Sequence, residues 1–182
     1  MIYFFTPYDF NKRMFDAWER YMWLVKDDDW VVMMDGDTLM FQANFGHIVQ
    51  EYINKYPDTG LFTCYASRSG TGWMMPKPNL MNATNIMMHR GVALKYEREK
   101  RLKVKEINDR VTGHFMCIKK ETWNKIYSGV RDKCRGLGIL SVDSVISLSV
   151  LEAGMKIRLM EGLYVLHYYR LGEGPKRKQM LG

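Results

Sequence analysis

The sequence contains little cysteine and no long apolar run. Its three cysteines, Cys64, Cys117 and Cys134, are odd in number and widely spaced, which predicts neither a disulfide framework nor a Cys-x-x-Cys metal site. No stretch of about 18 uncharged apolar residues is present to span a membrane, and residues 1–8 lack the layout of a secretory signal. We therefore expect a soluble, cytoplasmic protein with reduced cysteines.

Length and composition favour one globular domain with anionic partners. The chain has 182 residues, of which 47% are hydrophobic, and this is enough for a single domain with a sizeable core. There is no internal repeat and no sign of a second domain. A formal net charge of +7 favours nucleotide phosphates, nucleic acid or an acidic membrane face as partners. Charge alone does not choose among them.

Short apolar runs alternate along the chain with segments of helical spacing. The run Trp30–Met34 is too short for a helix, which predicts a strand covered on both faces, as in a parallel sheet. Residues 67–85 have the glycines and prolines of a long loop, and residues 91–107 indicate an exposed helix or an irregular excursion. We predict an α/β fold with a mainly parallel central sheet flanked by helices. The predicted strands are 2–6, 30–34, 61–65, 115–118, 156–160 and 164–167, and the predicted helices are 11–25, capped by Asn11, 45–56, 121–127 and 141–153.

Asp35-Gly36-Asp37 follows the predicted strand Trp30–Met34 directly. Two carboxylates separated by one glycine at the end of a strand form a compact oxygen site that suits Mg²⁺ or Mn²⁺. Ligands of open α/β sheets bind at the carboxyl ends of the strands, and a cation there would bridge a diphosphate. The alternative is a surface turn, because Asp-Gly is among the commonest turn dipeptides.

Five segments, taken in order, resemble the GT-A fold glycosyltransferases, in particular the family-2-like group. They are residues 2–8, Asp35-Gly36-Asp37, residues 111–120, Ser141-Val142-Asp143 and residues 164–167. The resemblance implies that residues 1–182 form a single compact domain of this kind. It implies an enzyme that moves a sugar from a nucleotide diphosphate donor, a UDP-sugar, to an acceptor hydroxyl. The acceptor stays open between a saccharide, a lipid-linked molecule and a protein.

The resemblance also implies roles for individual residues. Mn²⁺ or Mg²⁺ would be held by Asp35, Asp37 and His167, although a buried hydrogen-bonded histidine is the alternative for His167. Gly113 and His114 would border the acceptor, whereas His47 and His89 are expected at the surface. The nucleotide would contact Thr6, Pro7, Tyr8, Asp9 and Asp35.

Asp143 is our candidate general base. An inverting transfer needs a carboxylate that takes the proton of the acceptor hydroxyl on the face away from the diphosphate. The dipole of its predicted helix favours a negative charge in the first turn. The alternative is that Asp143 only caps this helix beside Ser141.

Three more side chains have two interpretations each. Trp73, in the long loop, could stack on a sugar or close over the donor, or it could simply pack in the core. Arg170 and Lys176, in the basic tail 170–182, could contact the diphosphate. The same tail could contact an anionic membrane peripherally, or it could be a solvated end.

Two other functional classes remain open. A metal-dependent nucleotidyltransferase also uses paired aspartates, but the sequence has neither a G-x-x-x-x-G-K-[ST] loop nor a glycine-rich fingerprint after its first strand. A non-catalytic nucleotide- or nucleic-acid-binding module should carry a basic stripe with interleaved aromatic residues. The basic residues concentrate instead in residues 95–105 and in the tail, so we expect no nucleic-acid partner.

Overall fold

A computed structural model describes residues 1–11, 13–76, 80–136 and 141–168 of the chain. These residues form seven strands and five α-helices, with a short 3₁₀ turn at Gly72–Met74. The strands are β1 (Ile2–Phe5), β2 (Trp30–Met34), β3 (Thr38–Met40), β4 (Thr59–Ala66), β5 (Val104–Ile107), β6 (Phe115–Lys119) and β7 (Lys156–His167). The helices are α1 (Met14–Met22), α2 (Phe45–Lys55), α3 (Ile86–Lys100), α4 (Lys120–Gly136) and α5 (Val142–Glu152).

All seven strands belong to one mixed sheet. Its order is β1-β2-β6-β4-β7-β3, and β5 also pairs with β7. Pairing is parallel between β1 and β2 and between β4 and β7, whereas the remaining described pairs are antiparallel. The structure thus confirms the prediction of an α/β fold with one sheet flanked by helices, and the sheet is mixed.

Both faces of the sheet are buried, which explains the uninterrupted apolar run of β2. Val31 and Met33 pack into a core cluster that includes side chains of α1, α3, α4 and α5. Trp30 and Val32 point the other way, into a cluster that includes α2. Since successive strand side chains alternate between faces, a strand covered on both sides has no polar position. Each such side chain contributes about 1.5–3 kcal/mol when it is fully buried.

One long strand, β7, replaces the two strands predicted at 156–160 and 164–167. The sequence Glu161-Gly162 suggests a break, but the strand continues with a shift of register against β4 between Met160 and Tyr164. Gly162 donates its backbone N–H to the Tyr52 hydroxyl at 2.9 Å. A Cβ added at residue 162 would lie 2.8 Å from that hydroxyl, so this glycine permits a close approach and does not mark a turn.

Other predicted boundaries also needed correction. The region 91–107 is divided between the end of α3 and the strand β5, and α4 extends well past residue 127. Helix α1 begins at Met14, and Asn11 does not cap it. The three cysteines are free thiols, as predicted. Within the described residues, no helix is both long and apolar enough to cross a membrane.

Candidate metal centre and adjoining cavity

The segment Asp35-Gly36-Asp37 passes along one side of the sheet, where strands end. It connects β2 to β3, and β6, β4 and β7 lie between these two strands in the sheet. The Thr38 backbone N–H donates to the Asp35 carbonyl at 3.2 Å, and the Thr38 hydroxyl donates to the His114 carbonyl at 3.3 Å. The segment is thus a surface β-turn, as the alternative interpretation held, but this turn joins two strands that are not neighbours in the sheet.

Pairing between β3 and β7 brings His167 to the two aspartates. Thr38 lies opposite His167 in the antiparallel register, and the backbone N–H of Tyr168 donates to the Asp37 carbonyl at 2.9 Å. His167 Nε2 lies 3.4 Å from Asp35 Oδ2 and 3.2 Å from Asp37 Oδ1. One ligand atom from each of the three residues lies within 4.8 Å of the other two.

These spacings suit a single divalent cation. Ligand atoms held about 2.1 Å from one ion in octahedral geometry lie about 3 to 4 Å apart. Carboxylate oxygens are preferred ligands of Mg²⁺ and Mn²⁺, and imidazole is tolerated by the transition metal. Asp35, Asp37 and His167 could therefore hold such an ion, with small adjustments of the carboxylate rotamers.

The orientation of His167 is set by its other ring nitrogen. His167 Nδ1 lies 3.0 Å from the carbonyl of Arg68, which accepts the Nδ1 proton and turns Nε2 toward the carboxylates. Such a backbone partner is the usual way in which proteins orient a metal-binding imidazole. Burial lowers the pKa of His167, but the hydrogen bond with Asp35 and the Arg68 carbonyl outweigh this, and the net pKa is raised.

His114 lies behind this cluster and not on its surface. Its ring centroid is 5.6 Å from that of His167, and its Nε2 donates to the Cys64 carbonyl at 3.2 Å. Burial, reinforced by His167, lowers the pKa of His114 to about 4, so the ring is neutral. Because His114 has no exposed surface, its predicted contact with an acceptor is wrong for this conformation.

Asp143 connects helix α5 with the segment before β6. Its Oδ2 accepts the Gly113 backbone N–H at 2.7 Å, and its Oδ1 accepts that of Ser144 at 2.8 Å. Ser141, the residue before α5, makes no side-chain bond to the backbone of the helix. The carboxylate is therefore held in one orientation by two backbone amides, one of which belongs to another element.

A cavity of about 190 Å³ adjoins the cluster of Asp35, Asp37 and His167 through Asp35 alone. Asp35 and Asp143 both line it, together with Gly113 and Ser141. Its remaining described lining is apolar and comes from the β1–α1 segment, α1, β2 and α5. These apolar residues are Pro7, Met14, Trp18, Met33, Met34 and Val142.

The segment predicted to contact the nucleotide is only partly at the cavity. Pro7 lines it, and the methyl group of Thr6 would be 3.3 Å from a Cβ added at Gly36. Tyr8 is 71% exposed. The Asp9 carboxylate accepts backbone N–H groups of Asn11 and Arg13, and these bonds shape the loop before α1. The Arg13 N–H is the main cause that holds the pKa of Asp9 below its ordinary value.

The Trp73 side chain is half-buried against the main core cluster. Its Nε1 donates to Asp109 Oδ2 at 3.2 Å. Trp73 is not among the residues that line the cavity, so the core-packing interpretation fits this conformation. Arg170, Lys176 and the tail 170–182 lie outside the described residues.

The other two histidines do not belong to the site. His47 is exposed on α2, as predicted. His89 is fully buried, and its Nδ1 lies 2.7 Å from the Tyr164 hydroxyl, so the prediction that it is a surface residue is wrong. It is one of the buried residues of α3.

Sequence reasoning missed the apolar wall of the cavity. Met14 and Trp18 are four residues apart, which places them on one face of α1. Met33 and Met34 immediately precede Asp35, and this adjacency could have indicated that they lie near the site. The contribution of α1 depends on tertiary packing, which helical periodicity does not reveal.

Comparison with known protein families finds no family that matches the chain, and comparison with curated protein sequences finds no match either. Function is therefore inferred from the geometry of these side chains and from the motif resemblance described above. Asp35 is central to that inference, because it belongs to both the three-residue cluster and the cavity wall.

Proposed function

We propose that the protein is a metal-dependent glycosyltransferase that moves a sugar from a nucleotide diphosphate donor to an acceptor hydroxyl. One observation carries the proposal. Asp35 belongs to a three-ligand cluster with Asp37 and His167, and it also lines the cavity that Asp143 lines. A site for the diphosphate and a candidate base thus adjoin the same space.

The residues of the cluster suit Mn²⁺ or Mg²⁺. Two carboxylates and one imidazole would hold the ion and leave coordination positions for phosphate oxygens. A divalent cation there supplies charge stabilisation for the departing diphosphate. The buried ring of His114 and the carbonyl of Arg68 would hold His167 in place.

Asp143 would act on the acceptor. Its carboxylate takes the proton from the acceptor hydroxyl as the acceptor oxygen bonds to the anomeric carbon. The bond between that carbon and the diphosphate oxygen breaks, and its electron pair leaves with the nucleoside diphosphate. The sugar configuration is inverted in such a single displacement. The amides of Gly113 and Ser144 hold this carboxylate in place, because both donate to it.

The donor would lie along the edge of the sheet formed by β1 and β2. Thr6 lies against Gly36, so Thr6, together with Pro7 at the border of the cavity, is proposed to contact a nucleoside that lies outside the cavity, with Asp35 near the ribose and phosphates. We propose UDP-sugars as the donors to test first. Arg170 and Lys176 remain candidates for a diphosphate contact from the tail.

Nucleotidyl transfer is less well supported. The sequence has neither a G-x-x-x-x-G-K-[ST] loop nor a glycine-rich fingerprint that would hold a triphosphate. The apolar wall of Met14, Trp18 and Met33 would not stabilise phosphate charges.

The central test compares nucleotide binding and donor hydrolysis with and without metal. Thermal unfolding is measured with UDP, GDP or ATP, each with and without Mn²⁺, and hydrolysis is measured on a panel of nucleotide-sugars. A transferase is expected to be stabilised by a nucleoside diphosphate only when metal is present. Asp37→Ala should abolish both responses. Asp132→Ala, at an exposed aspartate of α4, is the matched control.

Two outcomes contradict the proposal. Unchanged donor hydrolysis in Asp37→Ala would show that the cluster is not needed. Stabilisation by oligonucleotides instead, lost as salt is raised, would indicate a nucleic-acid-binding module.

A further inference from the structure

We propose that the acceptor presents its reacting hydroxyl on an aromatic ring, and that this ring occupies the cavity between Asp35 and Asp143. The inference rests on the proposed glycosyltransferase function and adds the chemical class of the second substrate. It follows from the lining of the cavity, its size and the few hydrogen-bonding groups in its wall.

The cavity wall is apolar over most of its described extent. Met14 and Trp18 face it from α1, and Met33 faces it from the end of β2. Trp18 is held in place by Trp123, whose ring centroid lies 6.3 Å away at an interplanar angle of 25°. Methionine sulfur and tryptophan make favourable contacts with aromatic rings. The wall therefore suits a flat apolar group.

The size of the cavity agrees with one ring. Its volume is about 190 Å³, whereas a cavity of about 150 Å³ lined by apolar side chains is known to hold one benzene molecule. A single substituted ring would fill the space. The hydroxyl on that ring is proposed to point toward Asp143, which lines the cavity together with Asp35.

Most polar atoms of the wall already have partners. Both oxygens of Asp143 accept backbone amides, and the Ser141 hydroxyl lies 3.1 Å from that of Ser144. Each carboxylate oxygen has a second lone pair, so Asp143 can still accept one hydroxyl. A saccharide in this cavity would place several further hydroxyls against Pro7, Met14 or Trp18, where they would lose their hydrogen bonds.

A phenolic hydroxyl also suits the proposed base. A phenol has a pKa of about 10, far below that of water at about 15.7. A carboxylate takes a proton more readily from the stronger acid. In the proposed transfer the phenol proton passes to Asp143, the phenol oxygen bonds to the anomeric carbon, and the nucleoside diphosphate leaves with the electrons of the broken bond.

The first experiment measures transfer from the UDP-sugar that the protein hydrolyses best. The acceptors are 4-methylumbelliferone and N-acetyltyrosine amide, with cyclohexylmethanol and methyl glucoside as non-aromatic comparisons. We expect kcat/KM for the two phenols to exceed that for the comparisons by at least tenfold. Equal or better transfer to methyl glucoside would overturn the inference and leave the proposed transferase intact.

The second experiment measures ligand binding in the cavity in the absence of turnover. Binding of 4-fluorophenol is followed by ligand-observed fluorine NMR in the presence of UDP and Mn²⁺. Val142→Trp and Met14→Trp, which add bulk to the cavity wall from α5 and α1, should each weaken binding at least tenfold. Leu94→Trp, at an exposed position of α3, is the matched control.

The outcomes separate the two levels of the proposal. No binding of 4-fluorophenol, or binding that both cavity variants retain, would overturn the aromatic acceptor. Absence of metal-dependent UDP binding and donor hydrolysis would instead overturn the transferase. A cavity that still bound 4-fluorophenol selectively would then be an aryl-binding site without this chemistry, and the acceptor assignment would fail with the enzyme.

Discussion

The carboxylates at the two ends of β7 differ in how they are paired with cationic side chains. Near its beginning, Arg158 binds Asp58 and Glu106, so each negative charge has a cation beside it. Near its end, Asp35 and Asp37 converge on His167, and one imidazole faces two carboxylates. The first arrangement stabilises the fold by itself. The second is expected to gain its full stability only when a cation binds, which is how functional sites commonly depart from optimal stability.

The paired end is built into the sheet. Arg158 lies opposite Glu106 in the β5·β7 register, and its side chain is only 7% exposed. Its guanidinium also lies over the ring of Tyr56, 5.2 Å from the centroid. The hydrogen bond from Arg158, followed by that from Lys156, holds the pKa of Asp58 well below its ordinary value.

The largest expected effect is on the rate of the proposed sugar transfer, which takes place near the Asp35 end of the contrast. Asp143→Asn keeps an oxygen for the Gly113 amide but cannot take a proton, so we expect kcat for sugar transfer to fall about 10²- to 10⁴-fold. Metal-dependent UDP binding should be unchanged, since Asp143 is not in the cluster. Single-turnover transfer and thermal shifts with UDP and Mn²⁺ measure the two properties. Equal turnover in the variant would return Asp143 to the role of a helix cap.

The next largest effect is expected on metal affinity, and it distinguishes a metal-binding role of His167 from a structural one. His167→Gln removes the imidazole, and we expect Mn²⁺ affinity to fall by at least the roughly 10- to 100-fold that loss of a supporting residue costs, while the metal-free unfolding temperature changes little above the raised pKa of His167. Calorimetric titration of Mn²⁺ in the presence of UDP gives the affinity. The control is His47→Gln on the exposed side of α2. Retained Mn²⁺ affinity in His167→Gln would show that His167 is only a buried structural histidine.

Substitutions near the beginning of β7 should change the stability of the protein and leave UDP binding unchanged. Arg158→Leu removes the cation from Asp58 and Glu106, both about half exposed, and should lower the free energy of unfolding by about 1–2 kcal/mol. For a chain of this size that is a fall of about 2–8 °C in Tm. Lys156→Leu, at an exposed partner of the same network, should change Tm much less. Loss of UDP binding in Arg158→Leu would break the contrast between the two ends.

The smallest expected effect is a difference in pH dependence. The folded-state pKa of His167 is raised above its ordinary 6.5, so its contribution to metal-free stability is complete below pH 6.5 and is lost as pH rises through the raised value. Mn²⁺ affinity should increase over the same interval, because the ion displaces the proton.

Asp58 should respond only in acid. Its folded-state pKa is lowered, so its contribution is present above its unfolded pKa of about 3.9 and is lost as pH falls through the lower folded value. Denaturant unfolding of the wild type, His167→Gln and Arg158→Leu from pH 2 to pH 9 measures both ends. A metal-free stability that does not fall above pH 6.5, or a fall that His167→Gln retains, would contradict the assignment.

The elements that could be predicted from the sequence are those with a strong local pattern. Strand β2 was predicted at its observed bounds, because burial on both faces leaves it uniformly apolar. Helix α2 was predicted to within one residue from its apolar spacing. Strand β3 has only three residues, too few to show a period, and the bulge near Gly162 was interpreted as a break between strands.

The candidate site was predictable in its ligands and not in its surroundings. Asp35 and Asp37 are visible as a motif, and resemblance suggested His167, which the structure brings beside them. The buried position of His114 depends on how the chain crosses from β2 to β3, and the wall formed by Met14 and Trp18 depends on where α1 packs. Such contacts join residues far apart in sequence, so no local pattern reports them.

The position of β7 near the end of the chain has a consequence for folding during synthesis. It pairs with β4 along one edge and with β5 and β3 along the other, yet it leaves the ribosome after all of them. Until then, β4 has an unpaired apolar edge of the kind that aggregates or recruits chaperones, and the two aspartates have no histidine beside them. If the proposed metal site is correct, a nascent chain should bind the ion only when residues 156–167 have emerged.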